Sequence, residues 1–529
     1  MPPMAAPAPR RRLGGALAVG VGIFLSRIAG LVRERVIAHY LGLSEGAGVF
    51  RAAMRIPNLL QNLLGEGVLS ASFIPVYARL RAEGKDEEAH RTARAVGTLL
   101  ALVAAAVALL GVVCARWLVD AVAPGFHGAA RVLTVRCVQI MFPGIALLVL
   151  SAWCLGVQNS HRKFFLSYVS PVVWNAVMIA VAVVAARRWR GSSDDLVIAL
   201  AWGTVIGAAA QVAVQLPTVW RLLGGLRPAL TFRDAGVRAT LRAFGPVFIG
   251  RGSVQLSSYL DQILASYLGP AIVAGMSAAQ TLYTLPVSLF GMAVSAAELP
   301  EMAGQTGDAE AVAAALRGRL ASALRRVVFL VVPSAVAFIA LGDVVVGLVF
   351  QSGRFGGDAT HVVWIILAGS AIGLSAGTQG RVLASAFYAL HDTRTPLRAA
   401  LVRVALTFVA GWAFALPLRH HFGYSEVWGA FGLTASAGVA AWLEYELLRR
   451  WLARRIGHVP VPVGLVLAAF GAAIVAGALT WMIVHALAPH RLLVRAAITL
   501  PLYGALYLWP MAVFRVPELA AVTRRLRRR

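Results

Sequence analysis

Charge is scarce in this chain. Of its 529 residues only 14% are Asp, Glu, Lys or Arg, against 59% hydrophobic. A soluble protein of this length needs a more charged surface, so that class is excluded. Acidic residues are scarcer still, 23 against 49 basic ones, which argues against clustered catalytic carboxylates. Cysteine occurs three times, as Cys114, Cys137 and Cys154, each within or beside an apolar segment and without metal-ligand spacing. A disulfide framework, a zinc site and a redox centre are thereby excluded, and the three thiols read as small buried hydrophobes. Histidines such as His39, His420 and His421 are scattered at the ends of apolar runs, and there is no P-loop. Nothing here makes an enzyme, and neither a cofactor nor a metal is expected.

What the chain has is hydrophobic length. Runs of roughly 18–25 residues recur from end to end, enough to cross a hydrocarbon core of about 30 Å. The pattern predicts an all-α polytopic membrane protein with spans near 13–41, 46–80, 95–122, 131–157, 164–187 and 196–222. Six more fall near 241–268, 272–303, 321–350, 361–390, 396–418 and 426–449, and two near 460–488 and 493–514. Arg10, Arg11 and Arg12 precede the first run as in a signal peptide, but Arg27 and Arg33 lie inside it, so it reads as a retained helix.

The net charge of +26 invites a nucleic-acid reading, which the placement of the charge excludes. Basic residues sit in short segments between apolar runs, where they set topology and meet anionic lipid head groups. With the N-terminus inside, cytoplasmic segments collect roughly 30 Lys and Arg against roughly 8 outside, so both termini are expected in the cytoplasm. The loop with Arg187, Arg188 and Arg190 is a local misfit. The tail block Arg524, Arg525, Arg527, Arg528 and Arg529 reads first as a topology anchor and second as a contact for a cytoplasmic partner.

An internal repeat divides the chain. Ala123-Pro-Gly-Phe126 precedes a span, a polar turn at Gln158-Asn-Ser-His161 and a new span with Pro171. About 229 residues later Gln351-Ser-Gly-Arg-Phe355 precedes a span, a turn at Leu390-His-Asp-Thr393 and a new span with Pro396. Three segments follow: an N-terminal lobe of six spans (1–222), a C-terminal lobe of six (223–455), and two added spans with a basic tail (456–529). Repeats of this kind place substrate sites where the halves meet.

Some charges lie where a bilayer disfavours them, at roughly 2.5–3.5 kcal/mol for a mid-helix Arg or Asp. Span one holds Arg27, Arg33, Glu34 and Arg35; span two holds Arg51, Arg55 and Glu66; span seven holds Arg251 and Asp261, and span ten holds Arg381. Arg51, Arg55, Asn58, Asn62 and Glu66 recur every three or four residues, a single stripe on a helix that Pro57, Gly65 and Gly67 interrupt. Arg251, Gln255, Ser258 and Gln262 repeat the idea, and Ser277, Thr281, Thr284 and Ser288 form an uncharged stripe in span eight. Arg35 and Glu301 read as snorkelling residues near helix ends, and Arg381 and Arg403 equally as cytoplasmic anchors. A cavity rich in Arg and poor in acid selects anions, because guanidinium stays charged and grips phosphate through paired hydrogen bonds. Arg27, Arg33, Arg55 and Arg251 are therefore the expected anion-binding residues, with a structural Arg55–Glu66 pair and a structural Arg33–Glu34 pair as the competing readings.

Ser26-Arg-Ile-Ala-Gly-Leu-Val-Arg33, Arg55-Ile-Pro-Asn-Leu-Leu60 and Gly65-Glu-Gly-Val-Leu-Ser-Ala-Ser-Phe-Ile-Pro75 carry a family resemblance. Gln280-Thr-Leu-Tyr-Thr-Leu-Pro286, Phe350-Gln-Ser-Gly-Arg-Phe355 and Phe387-Tyr-Ala-Leu-His-Asp-Thr-Arg-Thr-Pro396 extend it. The chain resembles the MurJ (MviN) lipid II flippases of the multidrug/oligosaccharidyl-lipid/polysaccharide exporter superfamily. The resemblance implies fourteen helices, two six-helix lobes and a lateral groove made by the last two. It implies passage of an undecaprenyl-pyrophosphate-linked disaccharide-pentapeptide, lipid II, across the bacterial inner membrane by alternating access. Arg27 and Arg33 match the family's first-helix arginines, Arg55 a basic position on helix two, and Glu66 an acidic one. Glu66, Asn58, Asn62, Gln255, Asp261, Gln280 and Thr281 are the expected cavity-lining or gating residues.

Three positions depart from the family pattern: Gln61 stands for a helix-two Arg, Gly48 for an Asp, and Thr281 for the helix-eight Arg. Arg251 is the expected substitute for the last. A sodium site known in some members draws on acidic residues of helices seven and eleven. Asp261 matches the first, but span eleven has no Asp or Asn, so sodium is not expected. Expected partners are the lipid-linked precursor and anionic membrane lipids, with cell-wall synthesis machinery as a further candidate. The alternative function is export of another polyprenyl-linked saccharide or a small molecule of the same superfamily.

Overall fold

The computed structural model describes residues 13–188, 193–231, 234–292, 309–460, 463–487 and 491–513, and the isolated positions 294, 302, 517 and 519. At 13–20, 66, 246–258, 291–292 and 309 it describes the backbone alone. The terminal basic blocks and Glu301 lie outside the described residues.

The apolar runs form helices throughout. The first half comprises α1 (Leu13–Leu41), α2 (Glu45–Leu64), α3 (Glu66–Ser72), α4 (Ile74–Ala82), α5 (Asp86–Val113), α6 (Ala115–Val122), α7 (Gly128–Ser160), α8 (Phe164–Arg188) and α9 (Ser193–Leu223). Then come α10 (Ala235–Ser266), α11 (Pro270–Pro286) with a π-helical turn at Val287–Met292, α12 (Ala309–Ala340), α13 (Gly342–Phe350), α14 (Gly357–Ala371) and α15 (Leu374–Ala389). The chain continues with α16 (Arg394–Ala415), α17 (Pro417–Phe422), α18 (Glu426–Ile456), α19 (Val463–Leu487) and α20 (Leu492–Val513). Among the described residues ten helical passages are long and apolar enough to cross a membrane, eleven when α14 and α15, bent by 43°, count as one. Helices α1, α10 and α18, of 29, 32 and 31 residues, are equally long. The chain is a multi-pass membrane protein, and its passages follow the fourteen expected spans in order.

Helix starts have local causes. The Ser44 hydroxyl accepts from the Ala47 amide at 3.2 Å, capping α2. Asp86, Glu87 and Glu88 fill the first turn of α5, where negative charge meets the helix dipole. Asp392 accepts from the amides of Arg394 and Thr395 at 3.0 Å each and from the Thr395 hydroxyl at 2.6 Å, fixing the start of α16.

By its internal contacts the chain forms two compact units, one of residues 1–40 and 49–259, the other of 41–48 and 260–529. In the first, α7 is the hub, packed against α5 and α9, with α8 on α9. Buried polar side chains fasten it: Gln211 and Gln215 of α9 both donate to the Ser151 hydroxyl of α7, at 2.7 and 2.6 Å. Cys137 and Cys154 are buried in α7, as small hydrophobes should be, while Cys114 is half-buried.

In the second unit α18 is the hub, packed against α14, α15 and α16. At the break between α14 and α15 a Cβ on Gly373 would lie 2.5 Å from Gly438 Cα, so only glycine permits this crossing. The last two helices pack on each other and on α12. Pro333 inside α12 has no amide hydrogen, which leaves the Phe329 carbonyl without its helical donor. The Tyr507 hydroxyl supplies one at 2.8 Å, and Tyr503 donates to the Pro333 carbonyl at 2.8 Å.

The repeat is visible in the backbone. Arg162 and His391, 229 residues apart, both have φ of 58°, and they are the two non-glycine residues with positive φ among those described. Around each the same bonds close the turn: Lys163 N to Gln158 O and Asp392 N to Phe387 O, both 2.9 Å, with Arg162 N to Asn159 O and His391 N to Tyr388 O, both 3.0 Å. At the same offset side chains have diverged. Trp174 of α8 donates to the Thr204 carbonyl of α9 at 3.1 Å, whereas its counterpart Arg403 of α16 pairs with Glu444 of α18 at 3.1 Å. The residue matching Glu444 in the first half is Gln215.

Candidate functional site

The charged residues of α1 and α2 converge in the first unit. Glu34 is buried, 7% exposed, and its two carboxylate oxygens face two different guanidinium groups. Arg33 reaches one oxygen at 2.5 Å, and Arg51 pairs with the other. The Arg33 guanidinium also lies 4.7 Å from the ring centre of Trp174, which α9 holds through the Thr204 carbonyl. Two cations on one anion leave this group with a net positive charge in a mostly buried setting, a pre-organised attraction for an anion.

One turn along α2, the Arg55 guanidinium stands 5.6 Å from the Tyr259 ring centre, and the Tyr259 hydroxyl donates to the Arg55 carbonyl at 2.8 Å. Asn58 and Asn62 follow on the helix and are exposed. The expected stripe therefore runs from half-buried arginines to exposed amides. Helix α2 continues through Pro57 and breaks at Gly65, whose amide bonds to the Gln61 carbonyl at 2.7 Å. Glycine at 65, more than proline at 57, interrupts the span. Arg27 is exposed on α1.

The remaining predicted residues divide. The side chains of Glu66, Arg251 and Gln255 lie outside the described residues. Asp261, on the part of α10 that belongs to the second unit, is half-buried. On α11 the Gln280 amide is exposed, and its Nε2 lies 3.3 Å from the Thr284 hydroxyl. Thr281 turns its hydroxyl onto its own helix, donating to the Ser277 carbonyl at 3.0 Å. A separate cavity of about 810 Å³ opens within the second unit near Arg354, Asp358, Arg419 and Glu426, and none of the predicted residues lines it.

The departure at Gly48 has a steric reason. A Cβ there would lie 1.9 Å from the Pro270 carbonyl oxygen, so no Asp fits. Sequence reasoning allowed a structural Arg33–Glu34 pair but missed Arg51 as its second cation, Trp174 beside Arg33 and Tyr259 beside Arg55. Arg51 was readable from its four-residue spacing to Arg55. Trp174 carries no local signal, because only the packing of α1 beside α8 brings it to Arg33.

The family model described as Lipid II flippase MurJ matches residues 37–500. A lipid II flippase MurJ of Burkholderia cenocepacia is 33% identical over 444 residues, covering 83% of each chain. A probable lipid II flippase MurJ of Rhizobium tropici is 31% identical, covering 84% of this chain and 81% of its own. Among solved structures, a lipid II flippase MurJ in an inward closed conformation superposes with a TM-score of 0.74 at 19% identity, over 94% of this chain and 99% of that one. An inward-facing multidrug resistance MATE family transporter follows at 0.62 and 16% identity, over 84% and 98%. The two structural likenesses speak for the fold alone. With a family model matched over most of its length and relatives of this identity, the chain belongs to the lipid II flippase MurJ family of transporters.

Proposed function

We propose that this protein translocates lipid II, the undecaprenyl-pyrophosphate-linked peptidoglycan precursor, from the cytoplasmic to the periplasmic leaflet by alternating access. The observation that carries the reading is the Arg33–Glu34–Arg51 group with Arg55 beside it: a cationic site that suits a pyrophosphate. Arg27, Arg33, Arg55 and Arg251 are the proposed pyrophosphate contacts. Asn58, Asn62, Glu66, Gln255, Asp261, Gln280 and Thr281 line or gate the path. The lobes 1–222 and 223–455 rock against each other while the polyprenyl tail stays in lipid along the 456–529 segment. The protein sits in the inner membrane with both termini in the cytoplasm, where its basic loops meet anionic lipids and its Arg-rich tail is open to the cell-wall synthesis machinery.

The test is complementation of a bacterium depleted of its lipid II flippase, with expression checked and translocation followed directly. Wild type is expected to rescue growth, and Arg27→Ala and Arg251→Ala are expected to fail. A well-expressed wild type that moves another polyprenyl-linked saccharide but not lipid II would overturn the assignment in favour of a related exporter.

A further inference from the structure

The second unit contains a charged group that the proposed site does not use. Arg381 lies on α15 about nine residues before the turn at Leu390, and Arg403 lies nine residues into α16. At 1.5 Å per residue both lie about 13 Å along their helices from the same turn, a distance that would put them in the hydrocarbon of two membrane-spanning helices. Arg403 is neutralised by Glu444 of α18 at 3.1 Å. Arg381 is exposed; its carbonyl accepts from the Ser385 hydroxyl at 3.0 Å, while its guanidinium makes no hydrogen bond or ion pair among the described residues. The charges of Arg381, Arg403 and Glu444 all act on the phenol of Tyr283 on α11. The Tyr283 hydroxyl is 3.6 Å from where a Cβ on Gly377 would be, one helical turn before Arg381 on the same face of α15.

Depth and exposure together decide between an anchor and a site. A snorkelling arginine reaches the interface from near a helix end, but about 13 Å is two and a half turns inside. An arginine exposed at that depth is costly against lipid, so its surface must be wet. Gln280, three residues from Tyr283, is exposed on α11, and Thr284 is exposed beside it. This wet face lies on the helix where Thr281 replaces the family's arginine and turns its hydroxyl inward.

We infer that Arg381, with the Tyr283 hydroxyl as a second donor, is the anion contact of the second unit and binds the phosphates of a pyrophosphate-linked lipid. Together with Arg251, it would supply the charge that position 281 lacks. The planar guanidinium offers two parallel donors to one phosphate, and the phenol adds a third. Glu444 keeps the neighbouring Arg403 occupied and repels an anion from that side, which directs the phosphate to Arg381. The inference rests on the proposed function and extends it by one residue pair.

The test measures binding of farnesyl pyrophosphate, farnesyl monophosphate and farnesol to the full-length protein in lipid nanodiscs of phosphatidylethanolamine. Wild type is expected to prefer the pyrophosphate. Arg381→Gln is expected to lose roughly tenfold or more of that affinity, with a weaker salt dependence, while the exposed control Arg116→Gln keeps it. Should Arg381→Gln fail to fold, Tyr283→Phe carries the test: a loss of about threefold or more supports the inference, and unchanged affinity overturns it. A folded Arg381→Gln that binds as wild type does overturns the inference and leaves the proposed function standing. A wild type that binds the pyrophosphate no better than farnesol overturns both.

Discussion

Replacing Glu34 by Gln removes the one anion between Arg33 and Arg51 while keeping the volume. The carboxylate now accepts from both guanidinium groups, and the side-chain exposures are 15% for each arginine and 9% for Glu34. Cations on opposite oxygens of one carboxylate lie roughly 6 Å apart, so at an effective dielectric of about 20 their repulsion is about 3 kcal/mol, which the carboxylate offsets and a neutral amide leaves uncompensated. That agrees with the 3–5 kcal/mol typical of removing one partner from a buried ion pair. Glu34→Gln is therefore expected to lower the stability of the purified protein by about 3 kcal/mol, seen as a melting transition several degrees lower. Glu34→Gln combined with Arg51→Gln restores charge balance around Arg33, which keeps its place on Trp174, and is expected to recover much of the loss. A single variant that melts with wild type, or a double variant no better than the single, would refute the electrostatic account.

Three further outcomes are expected. Tyr507→Phe leaves the Phe329 carbonyl without a donor and should cost about 1 kcal/mol, in the range of interhelical hydrogen bonds in membranes; in a Pro333→Ala background, where the helix supplies its own amide, the same change should cost clearly less, as melting of the four proteins would show. His161, in the turn between α7 and α8, shares a hydrogen bond with the Tyr77 hydroxyl across 2.8 Å, and burial, helped by Arg81, His90 and Lys163 against Asp86, lowers its pKa to about 4. The unfolded chain thus binds more protons between about pH 6.5 and pH 4, so stability should fall on acidification through that window, and His161→Gln should flatten the profile in melting curves taken at several pH values. Gly48→Asp, which restores the family's residue, should reduce folded yield because its Cβ meets the Pro270 carbonyl; wild-type yield would mean that the α2 and α11 ends separate easily.

Much of this fold was legible because a bilayer restricts backbone choices. Span order, the break near Gly65 and the repeat followed from hydrophobic length, glycine and turn chemistry. The repeat was weak by residue identity yet exact in hydrogen bonding at Arg162 and His391, since a turn keeps its geometry while its side chains drift. The site was legible in part. The helical stripe singled out Arg55, whose guanidinium lies beside the Tyr259 ring, but it gave no means of seeing that Glu34 is shared between Arg33 and Arg51. That arrangement needs α1 and α2 set side by side, and Trp174 joins from another 123 positions along. Arg381 and Arg403 looked alike as sequence; only the partner on α18 separates them.

The divergence between the two halves has an electrical consequence. A potential of 100 mV across a membrane acts on one elementary charge with about 2.3 kcal/mol. Trp174 and Gln215 in the first half carry no charge and feel none of it. Arg403 and Glu444, opposite charges 3.1 Å apart, travel as a unit and sense only the small drop across their own separation. The duplicated scaffold thus carries an ion pair at positions that are neutral in the other half without acquiring a gating charge there, and these positions can tilt in the membrane field at almost no electrical work.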